Sequence, residues 1–458
     1  MLKKILVANR GEIAARILRA CREMNIATVA VYSEADRGAL FTTLATEAYC
    51  IGAAPAKQSY LNSDAILTVA AHTGCDGLHP GFGFLSEDAA FVREVEAMGI
   101  SFIGPKAQTI ADMGDKDKAR SLMRKSGVST VPGSDGVLQS VDDAQKCAEQ
   151  IGYPVLLKAR SGGGGRGMRV VRTSEELKPA YEQASAEALA AFGDGSLYLE
   201  KLIENPRHVE VQILADSYGN LVHLGERECS LQRNHQKVLE EAPAASLTQE
   251  QADLIRSDAL KAACACDYIN AGTVEFIVDA DGKHYFIEMN TRIQVEHPVT
   301  EMITSVNIVR EQIRIASGLS LGFSQKDINI SGHAIECRIN AENPEQDFRP
   351  CPGKVEYLHL PSGYGVRVDT VLHPGYVVSP YYDSMIAKII VHGRTRNEAI
   401  CRMRRALEET VLSGIDTNLT LLYLLMYAPE YLANRIDTGF IQRNLQQLLK
   451  PLGNKVEL

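Results

Sequence analysis

The sequence lacks an excess of positive charge, a CxxC pair, a dinucleotide-type glycine pattern after its first strand, and an apolar run long enough for a bilayer. Each absence removes a class of function. A net charge of −9 argues against nucleic acid as the main partner, because phosphate binding needs clustered Lys and Arg. The densest basic patch, Arg402 with Arg404 and Arg405, runs into Glu408 and Glu409 and reads as a mixed-charge helix face. The 10 cysteines are scattered, the closest being Cys264 and Cys266, so the spacing of zinc and redox sites is missing. The longest greasy run, LTLLYLLMYA, stops at Pro429, well short of the roughly 20 residues of a membrane span. The opening MLKKILVANRGEI has a basic pair but too short an apolar stretch for a signal peptide. The expectation is a reduced, soluble, cytoplasmic protein with neither nucleic-acid nor membrane partners.

What is present is a long α/β chain. Its 458 residues suit about three domains. In the first, KKILVA reads as a buried strand, Asn9-Arg10-Gly11 as a turn, and EIAARILRACREM as a helix with Ile13, Ile17 and Cys21 on one face. ATVAVYS, EAYCIG, CDGLHPG and ISFIG continue a strand–helix rhythm that implies a parallel sheet covered by helices. This unit is expected over 1–113. MGDKDKARSLMRKSG then reads as one charged helix, VDDAQKCAEQIG as another, and PVLLKA and MRVV as strands around SGGGGRG. HVEVQILA, LVHLGE, TVEFIVD and HYFIEMN are strands up to about 330, and a β-rich segment closing with helices follows over 331–447, then a tail, 448–458.

Three features carry chemistry. Gly162 to Gly165 and Gly167 lie between two strands with Lys158 on the first. Such a hairpin brings backbone N–H groups close to an anion. A strand follows it where a Walker loop has a helix, and a plain surface hairpin fits it equally well. Second, Asp281-Gly282 marks a two-residue hairpin turn. Centring the turn there puts Glu275 opposite Glu288, and facing like charges are destabilising unless a cation lies between. Two hard carboxylates suit Mg²⁺ or Mn²⁺, whereas two solvated glutamates need no cation. Third, Glu288, Asn290, Arg292, Gln294 and Glu296 alternate with Met289, Ile293 and Val295. In an extended chain they share one face, leading from a metal-type carboxylate and amide to an anion-binding Arg and a base. A half-buried strand gives the same alternation. ERECSLQRNHQKVLEEAPA is too polar for a simple core segment; its Gln232, His235 and Lys237 could reach a nucleotide or anion, or the stretch is a surface loop. Glu200-Lys201 ends a strand, Lys116 sits in a charged helix, and His208 and Arg338 read on their own as structural residues.

Together KILVANRGEIAARI, LHPGFGFLSE, KARSGGGGRGMRVV, RECSLQRNHQKVLEEAPA, EMNTRIQVEHPVTE and YYDSMIAKII closely resemble the biotin carboxylases of the ATP-grasp superfamily, in the right order over nearly the whole chain. The resemblance implies an N-terminal parallel-sheet domain (1–113), a central ATP-grasp domain (114–330) with a mobile lid over about 131–204, and a β-rich C-terminal domain (331–447). It implies ATP contacts from Lys116, Lys158, Gly164, Gly165, Glu200, Lys201, Leu202, Ile203, His208, Gln232 and His235, with Glu275 and Glu288. It also implies two Mg²⁺ or Mn²⁺ ions on Glu275, Glu288 and Asn290, and a bicarbonate cradle of Lys237, Arg292, Gln294 and Val295. Glu296 would be the base and Arg338 the residue that stabilises the biotin enolate. Phe82 stands where a tyrosine is common, and Asn234 where an arginine is.

The resemblance further implies the first half-reaction of a biotin-dependent carboxylase such as acetyl-CoA carboxylase. No Met-Lys-Met-type biotinyl-lysine motif is found, so the biotin carboxyl carrier protein and carboxyltransferase are expected as separate chains. The family suggests a homodimer, with Arg19, Glu23 and Arg367 as contacts. Two readings compete: another ATP-grasp carboxylate ligase, and a silent regulatory subunit that only binds nucleotide. The Arg-Ile-Gln-Val-Glu comb counts against the first, and the full set of ligands and base against the second.

Overall fold

The computed structural model describes residues 1–160 and 168–450. Its first unit follows from strands that are apolar on both sides. Lys4–Val7 lies between Ala27–Tyr32 and Gly77–His79, with Glu47–Cys50 and Ser101–Phe102 at the two edges, all parallel. Ile5 and Val7 face one core with Ile13, Ile17 and Cys21 of helix Gly11–Glu23, while Leu6 and Ala8 face another with Phe91 and Val95. A strand covered on both faces reads as a continuous apolar run, as KKILVA does.

The charged helix read from MGDKDKARSLMRKSG is in fact two pieces. Helix Ala107–Gly114 ends, and Asp115 caps a new helix, Lys116–Lys125, by accepting from the N–H groups of Asp117 and Lys118. An aspartate is a preferred N-cap, and here it restarts the helix where helical spacing alone shows no break. A small three-stranded sheet follows, with Val155–Ala159 between Met168–Val171 and Leu197–Lys201. Helices Val141–Ile151 and Ser174–Phe192 give it a core of its own.

The site is built on an eight-stranded antiparallel sheet. Its order is His284–Asn290, Asn270–Val278, Arg207–Ala215, Leu221–Arg233, Gln236–Ala242, His333–Asn340, Met385–Gly393 and Val366–Thr370. The last three strands follow residue 331, so the sheet runs unbroken across the expected boundary. The polar stretch around Gln232 is no loop: it forms two of these strands, joined by a tight turn at Asn234 and His235, with φ of 49° and 64°. Two successive positive φ angles define the hairpin turn that matches strand twist, and asparagine tolerates them.

The Glu275–Glu288 hairpin corrects the sequence reading in one respect. Its loop has three residues, Ala280 to Gly282: Asp279 N–H donates to Lys283 O, and Gly282 takes φ 81°. That shifts the register by one, and a bulge between Phe286 and Glu288 shifts it back. Glu275 therefore does face Glu288. The greasy 419–428 run holds a core helix, Leu419–Leu425. Among the described residues no helix is long and apolar enough to cross a membrane.

The C-terminal helices are tied to the sheet by Glu241. Its carboxylate accepts from His333 Nε2 at 2.7 Å and from Arg396 at 2.7 and 2.9 Å. Burial disfavours the charge, but these donors overcome it and hold the carboxyl at about 2. A depressed acid stabilises the fold above its unfolded pKa, and that contribution fades as pH falls toward the folded value. From an ordinary 4.5 down to about 2, the contribution is on the order of 3 kcal/mol. The melting temperature should therefore fall between pH 5 and pH 3, and Glu241→Gln should be less stable at pH 7 and flatter over that range. A variant that tracks the parent at every pH would remove Glu241 from this role.

Candidate active site

A cleft of about 680 Å³ opens between the N-terminal sheet and the large sheet. The large sheet delivers its polar residues by strand alternation. His208, Glu210 and Gln212 share one face of their strand, and Val209, Val211 and Ile213 pack on the other. Glu275, from the neighbouring strand, lies beside Glu210. The polar comb reaches the same cleft by a different route from the one expected. Its strand ends at Asn290; the chain then turns irregularly and enters helix His297–Thr304, with Pro298 in its first turn. Glu296 precedes that helix at φ −82°, ψ 6°, which is not extended. Glu288, Asn290, Arg292, Gln294 and Glu296 nevertheless all line the cleft, and so does Val295.

At the centre is an ammonium among carboxylates. Lys237 Nζ lies 2.5 Å from Glu210, 3.0 Å from Glu275 and 2.6 Å from Glu296. Arg338 binds the second oxygen of Glu296 at 3.0 Å and Glu240 at 2.6 Å. Burial disfavours the Glu296 charge, yet Lys237, and after it Arg338 and Arg227, outweigh both burial and the Glu210 charge, so its pKa falls below the usual value. Glu240 shows the opposite balance: burial prevails over Arg338, the Glu296 charge adds to it, and its carboxyl is pushed up to about 7. Beneath the cleft Arg227 is fully buried. Its donors reach Glu210 (2.5 Å), Gln212 (2.8 Å), Thr300 (2.9 Å), Thr273 (3.2 Å) and Gln294 (2.7 Å). A guanidinium has five N–H donors, and all five are used.

The facing pair is electrostatically asymmetric. Glu275 accepts from Lys237, Asn290 and Gln294, and His208 Nε2 lies 3.1 Å from its other oxygen. Burial works against its charge, but Lys237 and His208 hold its carboxyl well below the usual range. Burial also works against the His208 charge, and Glu275 in particular lifts that ring to about 9. Glu288 has no such help: burial and the Glu275 charge raise it, with Lys116 as the leading opposing charge. No hydrogen bond or ion pair engages the Glu288 side chain among the described residues. A hard cation on this side would relieve that repulsion, and two carboxylates with the Asn290 amide oxygen are the donors it takes. Possible ligand atoms also lie within 4.8 Å of one another at His208–Glu210–Glu275 and at Glu210–Cys229–Glu296. Lys237 already sits against the carboxylates of both.

The remaining expected residues are spread around this centre. Gln232 bonds His208 Nδ1 at 3.0 Å, and His235 lines the cleft from its turn. Lys158 and Arg120 both pair with Glu200, and both lie over Tyr198. The Lys201 ammonium is turned to the carbonyls of Gly152 and Tyr153, at 2.9 and 3.0 Å. Gly164 and Gly165 lie outside the described residues. Phe82 lines the cleft, with its carbonyl held by Asn9 at 2.8 Å. Sequence reasoning missed Arg227, Glu210, Glu240 and Glu87. Glu87 accepts from Arg292 at 2.8 Å and so joins the N-terminal unit to the comb. The polar alternation of His208, Glu210 and Gln212 was a signal for Glu210; nothing local marks the other three.

Comparison with known proteins covers the whole arrangement. Family models match residues 1–110 (biotin carboxylase, N-terminal domain), 115–323 (carbamoyl-phosphate synthase L chain, ATP binding domain) and 336–443 (biotin carboxylase C-terminal domain). Biotin carboxylase 1 of Bacillus subtilis is 52% identical over 443 residues, covering 96% of this chain and 98% of that protein. Among solved structures, the biotin carboxylase domain dimer of Hydrogenobacter thermophilus 2-oxoglutarate carboxylase, in complex with MgADP, ADP and bicarbonate, matches with a TM-score of 0.92. That match is at 51% identity and covers 98% of this chain and 99% of that one. The crystal structure of the biotin carboxylase component of pyruvate carboxylase matches with a TM-score of 0.88 at 50% identity, covering 98% of this chain and 100% of that one. With its three segments matched in order and its cleft built from their junctions, this chain belongs to the biotin carboxylase family of ATP-dependent ligases.

Proposed function

We propose that the chain carboxylates biotin on a separate carrier protein, using MgATP and bicarbonate, by way of carboxyphosphate. The observation that carries this reading is the Glu296 carboxylate held ionised between Lys237 and Arg338, next to a carboxylate pair that calls for a cation.

Bicarbonate is a poor nucleophile until it loses its proton. Lys237, Arg292, Gln294 and Val295 hold it, and Glu296 takes the proton. The resulting dianion attacks the γ-phosphate of ATP, giving ADP and carboxyphosphate. Glu275, Glu288 and Asn290 would hold Mg²⁺ or Mn²⁺, which supplies neutralising charge on the transferring phosphoryl group. Lys116, Lys158, the glycines around Gly164 and Gly165, Glu200 to Ile203, His208, Gln232 and His235 surround the nucleotide. Carboxyphosphate then yields CO₂ and phosphate, the phosphate accepts the biotin N1 proton, and Arg338 holds the enolate oxygen while N1 attacks CO₂. Closure of the 131–204 unit as a lid keeps water out.

We assign the pre-ATP-grasp, ATP-grasp and C-terminal domains to 1–113, 114–330 and 331–447. The acting form is a cytoplasmic homodimer with Arg19, Glu23 and Arg367 at its interface, working with a biotin carboxyl carrier protein and carboxyltransferase subunits. The transferase selects the acceptor. Acetyl-CoA is the acceptor we infer, and the likeness to the biotin carboxylase components of pyruvate carboxylase and 2-oxoglutarate carboxylase keeps pyruvate and 2-oxoglutarate beside it.

ATP hydrolysis measured with and without bicarbonate, followed by transfer of labelled bicarbonate to a biotinylated carrier, tests the reading directly. Bicarbonate-independent hydrolysis with no label transfer would refute it. Glu288→Gln should lower turnover about 100-fold and raise the Mg²⁺ requirement; an unchanged rate and metal dependence would remove Glu288 from the metal set. Arg338→Ala should cut biotin carboxylation by a similar factor, about 100-fold, and reduce bicarbonate-dependent ATP hydrolysis less, through the lost contact to Glu296. Equal loss of both activities would argue against its role on biotin.

A further inference from the structure

Lys388, in strand Met385–Gly393, has no exposed surface. A buried ammonium is costly unless it is paired and hydrogen-bonded. Its Nζ donates to the main-chain oxygen of Val295 at 2.7 Å, and lies 3.1 Å from Glu12 and 4.0 Å from Asp369. Asp369 is already bound to Arg367 at 2.7 Å. Glu12 has no hydrogen bond on either oxygen, although it is buried and belongs to the cleft wall. The charge of Lys388 thus answers first to Glu12, with the buried Glu336 and Asp369 behind it, while its directed bond goes to the Val295 carbonyl.

That carbonyl belongs to the peptide joining Val295 to Glu296. The turn around it is closed by His297, whose N–H and Nδ1 both meet Gln294 O, at 3.3 and 2.8 Å. No other hydrogen bond to Val295 O is found among the described residues. Holding this oxygen from behind fixes the plane of the peptide, and with it the direction in which the Glu296 side chain leaves the main chain. A displacement of about 1 Å at a reacting group can cost on the order of 100-fold in rate.

We propose that Lys388, charge-balanced by Glu12, is a positioning residue for the bicarbonate step, holding the Val295–Glu296 peptide so that cradle and base stay aligned. This rests on the reading of Glu296 as the base and of Val295 as part of the cradle. A purely structural lysine would serve only to balance the buried acids around it, Glu12 foremost, and the two roles separate in a double variant. Lys388→Met alone strands the Glu12 charge and should lower the melting temperature. Lys388→Met with Glu12→Gln removes both charges and should recover most of that loss. The double variant should still show a bicarbonate KM raised about 10-fold, with the ATP KM within about twofold. Glu12→Gln alone, which leaves the Val295 bond in place, should keep the bicarbonate KM near that of the parent.

A double variant with parental bicarbonate KM and kcat overturns the proposal. So does an equal rise in both KM values, which would mean general loosening. Arg292→Ala measured in parallel separates the two levels. If it raises the bicarbonate KM and the double variant does not, only the role of Lys388 fails. If it leaves the bicarbonate KM unchanged, the cradle reading fails and the proposal falls with it.

Discussion

One ammonium group organises this active site. Glu210, Glu275 and Glu296 are all buried, and each lies within 3.0 Å of Lys237 Nζ. Three carboxylates so close could not all stay ionised without a cation among them. Arg227 supports the arrangement from below by holding Glu210 and Gln294, and Arg338 from the side by sharing Glu296. Charge is thereby settled before any substrate arrives. Glu296 is kept as an anion, and the unrelieved repulsion is left at Glu288, where a bound cation would relieve it.

This balance explains why so much polar surface can be buried in one sheet. A charged group out of water is tolerated when its donors and acceptors are met. Arg227 meets that condition with all five N–H groups, and Glu241 meets it with His333 and Arg396. Exceptions among the buried carboxylates include both oxygens of Glu12, both of Glu336 and one of Glu240. Glu87 on Arg292 and Lys388 on Val295 connect the comb to the N-terminal and C-terminal units, so the geometry around Glu296 is shared property of all three segments.

The parallel first sheet was legible in the sequence because buried strands and amphipathic helices leave a local pattern. The Glu275–Glu288 pairing was legible too, although the turn is one residue longer than read and a bulge offsets it. The comb lies in the cleft as expected, but only its first part is strand, since Pro298 favours a helix start that alternation alone does not reveal. The stretch around Gln232 reads as surface because polarity was weighed without partners; Glu228, Gln232 and Glu240 are buried because arginines and a histidine from other strands, and for Gln232 the nearby Cys229 carbonyl, meet them. Arg227, Glu87 and Glu240 were silent for the same reason: their partners lie 15 to 205 residues away. Helix Ser174–Phe192 carries Pro179 inside it, which masks its helical signal.

The unbroken eight-stranded sheet also sets a limit on how the chain can be divided. Gln236–Ala242 has His333–Asn340 as its neighbour on one side. Cutting near 330 would strip that neighbour away and expose a row of unsatisfied backbone groups along Leu239 to Ala242. An open edge of that kind recruits strands from other molecules, so a fragment ending there is prone to aggregate and is not a self-contained unit.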